Sequence, residues 1–353
     1  MNGSKRLELF CRVVDNFGDA GVCGRLARHL AINHGHAVRL WIDLPEVLTQ
    51  LRIDLPAQVD VHKWEPDFIA PDNFADIVIE AFACGTPKEA LTHRPLWINL
   101  EYLSTESWAA DNHLLPSTSP STGLVQHFFF PGFWPGAGGL LRERNYFARQ
   151  AAFDAAAWWQ DTLKQPYNPD SLKISLFCYK WAPVQQLVEA LAAHSRPVQL
   201  LLPESLLPDL KAPPGNLELV RFPFLPQAEY DHLLWSCDLN MVRGEDSFVQ
   251  SNWTGKPLIW QAYPEEQGQH KAKIAGFLTR YSQKLPPECA QTLALAHEVW
   301  NVPGLDAASA WPRLLLNLPA LGVHARAWAQ ELAQQKDLAT QLAEFVEQQR
   351  NPL

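Results

Sequence analysis

Short apolar runs, each followed by a stretch with helical spacing, recur along the chain. Residues 7–14 read as a strand that breaks at Asp15-Asn16-Phe17-Gly18-Asp19. The helix that follows carries Val22, Leu26 and Leu30 on one face. Further strands are predicted at 38–42, 77–80 and 96–100. The pattern restarts at Lys173, with strands at 174–178, 197–202 and 217–222 and a helix face of Val184, Leu187, Val188 and Leu191. A loop, Pro223-Phe224-Leu225-Pro226-Gln227, leads to a helix at 228–237. Residues 238–260 then read strand, tight turn at Arg243-Gly244, helix from Glu245, stop at Gly255, strand. Residues 324–349, with Leu332, Leu338, Leu342 and Phe345, read as helical.

Strands alternating with crossovers specify an α/β chain with parallel sheets. Because the alternation occurs twice, two Rossmann-like domains in tandem are expected, at residues 1–160 and 161–325. The helix at about 326–353 is either a plain packing helix or one that returns to the first domain. Residues 104–142 break the rhythm with Pro, Ser, Gly and aromatics. They read equally as a partner-facing loop or as a core strand at 125–130 with a decorated turn.

Composition narrows the function. At 353 residues, two domains are the natural reading. A formal charge of −9 argues against a general nucleic-acid binder. No apolar run is long enough to span a membrane, and no signal peptide is recognised. Six scattered cysteines without CxxC or zinc spacing are expected as buried thiols in a reducing cytoplasm. Some of the 14 Trp are expected to line partner-facing surface. The pairs His34/His36 and His113/His127 read as surface histidines, not ligands.

The first strand–helix turn holds Gly18, Gly21 and Gly24, so its spacing is GxxGxxG and not the dinucleotide fingerprint GxGxxG. Asp43, at the end of the second strand, is placed like a ribose-binding acid, yet Asp15 and Asp19 would not welcome a pyrophosphate. Such a turn suits proton abstraction or cation recognition, while Asp19 reads equally as a helix cap. In the second half, Phe177, Tyr179 and Phe224 follow strand ends and could clamp a flat base, with Gln227 reading its edge. The helix start at Glu245-Asp246-Ser247 offers backbone N–H groups and a hydroxyl to a phosphate. Its two carboxylates would repel that phosphate unless they face a hydroxyl or a cation. HExxH, GxSxG, GxxxxGK[ST] and a convincing Asp-x-Asp are missing, so no metal or other cofactor is expected.

Two Rossmann-like domains, an acidic first turn and a sugar-nucleotide-like second half resemble the GT-B glycosyltransferases, whose domains face each other across a cleft. Several blocks resemble the EarP family of protein-arginine rhamnosyltransferases, which mature bacterial elongation factor P. They are Asp15 to Val22, Asn99-Leu100-Glu101-Tyr102-Leu103-Ser104, Gly138-Gly139-Leu140-Leu141-Arg142-Glu143, Ser175-Leu176-Phe177-Cys178-Tyr179, the Pro223 to Gln227 loop and Arg243-Gly244-Glu245-Asp246-Ser247-Phe248-Val249. The likeness covers nearly the whole chain. It implies inverting transfer of rhamnose from dTDP-β-L-rhamnose to one arginine of elongation factor P.

The resemblance also assigns residues. Asp19 matches a general base, with Asp15 and Glu245 as further essential carboxylates. Donor contacts fall on Asn16, Phe17, Gly18, Phe177, Tyr179, Phe224, Leu225, Gln227, Asp246 and Ser247. With Asp19 and Glu245 on different domains, catalysis would depend on domain closure. Gln250-Ser251 and Glu265-Glu266 depart from the Arg-Ala and Gln-Glu expected there. Alternative readings are an NAD-dependent or nucleotide-sugar-modifying Rossmann enzyme, and a non-catalytic protein-binding module.

Overall fold

The computed structural model describes residues 6–14, 17–65, 67–264 and 268–350. The chain divides into two compact units, one of residues 1–144 with 335–353 and the other of residues 145–334.

The first unit is built on seven strands: β1 (Arg6–Cys11), β2 (Ala37–Ile42), β3 (Val59–Lys63), β4 (Ile77–Ala81), β5 (Leu96–Leu100), β6 (Pro116–Thr118) and β7 (Val125–Phe129). Their order is β3-β2-β1-β4-β5-β7-β6. All pair in parallel except β6 with β7. Both faces are buried, which is why the central strands are largely apolar and not alternating; the acids within them, Glu8 and Glu80, are buried and accept the indole N–H groups of Trp41 and Trp97. One face packs under Cys23, Leu26 and Leu30 of the helix Gly18–His34 and under Leu338, Leu342 and Phe345 of the C-terminal helix Leu338–Arg350. The other face holds an aromatic cluster of Phe10, Trp41, Trp64, Phe68 and Trp97.

The second unit has β8 (Leu172–Leu176), β9 (Val198–Pro203), β10 (Leu217–Phe222), β11 (Leu239–Arg243) and β12 (Leu258–Gln261), in the order β10-β9-β8-β11-β12, all parallel. Helix Tyr146–Ala151 belongs to this unit. Tyr146 is buried and its hydroxyl accepts the Trp235 indole N–H at 2.6 Å, while Gln150 donates to the Thr254 carbonyl at 2.8 Å.

Several expectations change in the structure. The helical region expected at 324–349 is two helices, Ala310–Ala333 and Leu338–Arg350. The break falls where Asp337 accepts the Thr340 N–H at 3.0 Å, an N-capping bond that starts a new helix. The tail is tied down by the Leu338 N–H on the Leu140 carbonyl at 3.0 Å. Gly139, at φ +72, is needed there because a Cβ would lie 2.5 Å from the Lys336 carbonyl oxygen. Residues 104–142 contain both features the sequence left open, a core strand β7 and a loop region, together with the short helix Trp108–Asn112 and edge strand β6. Most Trp residues are core and not surface: eleven of the 14 are buried, and Trp108 is 44% exposed. His36 is also buried and His113 partly so, not on the surface as read. His113 is lodged against Phe129 and accepts the Phe130 N–H at 3.1 Å. All six cysteines are buried and free.

Candidate active site

Both sheets reverse their winding at one point, between β1 and β4 in the first unit and between β8 and β11 in the second. Carboxyl ends of strands at such a switch point are where open α/β sheets bind ligands. Of the described residues selected from sequence, Phe17, Gly18 and Asp19 follow β1, Phe177 and Tyr179 follow β8, Glu245, Asp246 and Ser247 follow β11, and Phe224, Leu225 and Gln227 follow β10.

In the second unit, β8 runs into Phe177, Cys178 and Tyr179, and β11 runs into Arg243, Gly244 and Glu245. Backbone bonds lock the two segments together. The Phe177 N–H donates to the Met241 carbonyl at 2.8 Å, and the Tyr179 N–H donates to the buried Gln261 Oε1 at 2.7 Å. Arg243 donates to the Cys178 carbonyl at 3.3 Å and holds its guanidinium 4.9 Å from the Tyr179 ring centroid. Gly244 sits at φ +63, a turn other residues enter at a cost, and its carbonyl accepts the Trp260 indole N–H at 2.6 Å.

The aromatic residues expected to clamp a base are partly open. Phe177 packs edge-on to Tyr230 at 5.2 Å, and Tyr179 stacks with Trp181 at 6.1 Å. Phe224 is 49% exposed, with the half-buried Leu225 beside it, in the loop between β10 and helix Gln227–Ser236. Gln227 opens that helix, and its amide reaches the Asp246 carboxylate at 3.1 Å. Gln250 donates to the same Asp246 oxygen at 3.0 Å.

Helix Asp246–Trp253 therefore starts with its charges oriented: Asp246 faces two amides, and Glu245 faces the Lys273 ammonium at 3.3 Å. The Ser247 hydroxyl donates to the Arg243 carbonyl one turn back. Its proton thus points to backbone here, and the N–H groups of the first turn are the other donors at this helix start.

In the first unit, Asp15 and Asn16 lie outside the described residues. Phe17 is 38% exposed and Gly18 begins helix Gly18–His34. Asp19 is 3% exposed and accepts the Val14 N–H at 2.8 Å. Asp43 accepts the neighbouring Val13 N–H at 2.9 Å. This gives Asp43 a structural task, holding the segment that follows β1. Beyond β4, Phe82 and Ala83 both adopt positive φ, at +59 and +49, and Phe82 stacks on Tyr102 at 4.3 Å. Strained backbone of this kind gathers at functional edges. Glu101 accepts the Asn99 amide at 2.5 Å, and burial, then the Glu80 carboxylate, raises it above the usual carboxylate range.

The structure thus brings together Phe177, Tyr179, Arg243 and Gln261, and separately Gln227, Asp246 and Gln250. Arg243, Gln261 and Lys273 were not selected from sequence. An i,i+4 pairing of Asp246 with Gln250 was the one available signal. Lys273, one turn into helix Gln269–Tyr281, carries none. Among the described residues, no group of three or more His, Cys, Asp or Glu could hold a metal ion. No helix among them is long and apolar enough to cross a membrane.

Residues 7–347 match the family model described as Elongation-Factor P (EF-P) rhamnosyltransferase EarP. A protein-arginine rhamnosyltransferase of Pseudomonas aeruginosa is 40% identical over 96% of this chain and 98% of its own length. One from Neisseria meningitidis is 35% identical over 96% of each chain. A solved structure from work on the structural basis for EarP-mediated arginine glycosylation of translation elongation factor EF-P is 31% identical, covers 99% of both chains and has a TM-score of 0.69. Glycosyltransferase VinC shares the fold at 13% identity, with a TM-score of 0.58 over 97% of this chain and 98% of its own. The fold is that of GT-B glycosyltransferases, and the chain belongs to the EarP family of protein-arginine rhamnosyltransferases.

Proposed function

We propose that this enzyme transfers rhamnose from dTDP-β-L-rhamnose to the guanidinium of an arginine in elongation factor P, in the cytoplasm where that factor acts. The observation that carries the reading is the likeness to protein-arginine rhamnosyltransferases over 96% of the chain. The solved relative, 31% identical, comes from work on glycosylation of EF-P, which supports the acceptor.

In this reading the second unit holds the donor. Phe177, Tyr179, Phe224 and Leu225 take the thymine, Gln227 and Asp246 the base edge and ribose, and the first turn of helix Asp246–Trp253 the diphosphate. Phe17 and Gly18 contribute from the first unit, and Asn16 joins them by the sequence expectation. Asp19 is the general base, with Asp15 and Glu245 as the further carboxylates.

The chemistry follows from the acceptor. A guanidinium keeps its proton until about pH 12 or above, so it attacks only when held and relieved of a proton. Carboxylates do both: they pair with it through charge-assisted hydrogen bonds and take the proton as the nitrogen bonds to the sugar carbon. The sugar–diphosphate bond breaks, its electron pair leaves with dTDP, and helix N–H groups offset the charge.

The test is mass spectrometry of purified elongation factor P after incubation with the enzyme and dTDP-L-rhamnose. A deoxyhexose increment on one arginine, lost with Asp19→Asn, is the expected result. An enzyme that binds dTDP yet adds nothing to elongation factor P has another acceptor. An enzyme that binds no dTDP overturns the donor assignment.

A further inference from the structure

We infer that Lys273 is a diphosphate-binding residue of the donor site, which Glu245 holds in place until the donor arrives. The inference rests on the donor reading above. Two carboxylates, Glu245 and Asp246, stand at the start of helix Asp246–Trp253, where a diphosphate would meet its N–H groups. Left exposed to the ligand, they would repel it. Asp246 is turned toward the amides of Gln227 and Gln250. Glu245 is turned toward the ammonium of Lys273, 3.3 Å away, and each of these two side chains is 24% exposed. A pair so largely withdrawn from water is less screened than a surface pair, yet it remains open on one side.

The contact is a loose one. Tight ammonium–carboxylate bonds run at about 2.7–2.9 Å. An ammonium is a point charge with three donors on a flexible stem, so Lys273 can keep Glu245 and still offer N–H groups to a phosphate oxygen. A diphosphate carries more charge than one carboxylate and draws the ammonium toward it. When the sugar–oxygen bond breaks, the electron pair stays on the diphosphate. Lys273 remains protonated and offsets the added charge, while the sugar passes to the arginine nitrogen and the arginine proton to a carboxylate.

The experiment measures binding of dTDP by calorimetry, and of thymidine by ligand-observed NMR, to the full-length wild type, Lys273→Met and Lys273→Arg. Loss of a charge-assisted bond predicts dTDP binding weaker by about tenfold to a hundredfold in Lys273→Met. Thymidine, which has no phosphate, should bind as in wild type, and Lys273→Arg should recover most of the dTDP affinity. Lys273→Gln replaces Lys273→Met should the latter not fold. Unchanged dTDP binding, or an equal loss for thymidine, overturns the inference and leaves the donor reading intact. A wild type that binds no dTDP overturns both.

Discussion

Gln250 and Gln227 converge on one oxygen of Asp246, at 3.0 Å and 3.1 Å. Gln250 sits one helical turn beyond Asp246, and Gln227 comes from a different helix, so the carboxylate is held from two directions. Its rotation is thereby restricted. This gives a task to a residue that stands where the family resemblance leads one to expect arginine. Gln250→Ala removes one hydrogen bond to a charged acceptor, a loss of about 1.5–3 kcal/mol at most. The expected outcome is a donor KM raised about tenfold with a much smaller change in kcat, whereas Gln250→Arg stays active. Steady-state kinetics with varied dTDP-L-rhamnose decide it, and an unchanged KM would remove the clamp from the donor site.

Asp19→Asn separates chemistry from structure. The carbonyl of asparagine can still accept the Val14 N–H, now held by Asp19 at 2.8 Å, so the turn keeps its shape. What is lost is proton uptake. A general base contributes about a hundredfold to ten-thousandfold, so kcat should fall within that range. Binding of dTDP, assigned to the second unit, should stay as in wild type. If kcat survives the change, Asp19 only holds the Val14 N–H and with it the turn, a structural task.

Much of the fold was legible because buried parallel strands leave an unambiguous trace. β4 and β8 are buried at every position, since both faces of the sheet are covered, and apolar residues dominate them although Glu80 lies in β4 and Lys173 and Ser175 in β8. β3 was missed, for its burial is mixed and its residues Val59–Lys63 include charge. The break before Leu338 was missed because the first helix ends at Ala333 and Asp337 starts another only a few residues on, inside an Ala-, Leu- and Gln-rich tract. At the site, residues within one turn or one loop could be found from sequence. Contacts such as Tyr179 with Gln261 or Glu245 with Lys273 join distant segments, and only the crossovers of the sheet bring them together.

Glu143 tests how the first unit is held. It takes two bonds from Arg25, at 3.0 Å and 3.1 Å, with His29 at 3.5 Å, and the Arg25 side chain is 4% exposed. Burial opposes its ionisation, but Arg25 and His29 overcome that and hold it well below the usual carboxylate range. Glu143→Ala would leave a buried guanidinium without its carboxylate, at a cost of about 3–5 kcal/mol. Urea unfolding should show the loss in the first unit. A loss no larger than that of a surface pair, about 1 kcal/mol or less, would mean that water reaches Arg25.

His297 makes the stability of the second unit depend on pH. It is fully buried between two backbone partners: its Nε2 accepts the Trp260 N–H at 3.1 Å, so its Nδ1 donates to the Leu293 carbonyl at 2.9 Å. This arrangement needs the neutral ring, because a second proton would point at an N–H group. Burial accordingly lowers the pKa from the ordinary 6.5 to about 4. Below pH 6.5 the unfolded chain takes up a proton that the folded one refuses. Stability is therefore complete above that pH and is lost as the pH falls toward the folded value. At pH 5 the loss from this residue should be about 2 kcal/mol relative to pH 7. In His297→Gln the amide N–H can serve Leu293 and its oxygen Trp260, without titrating. Urea denaturation at the two pH values should show wild type losing about 2 kcal/mol more than His297→Gln, and parallel losses would place the titrating group elsewhere.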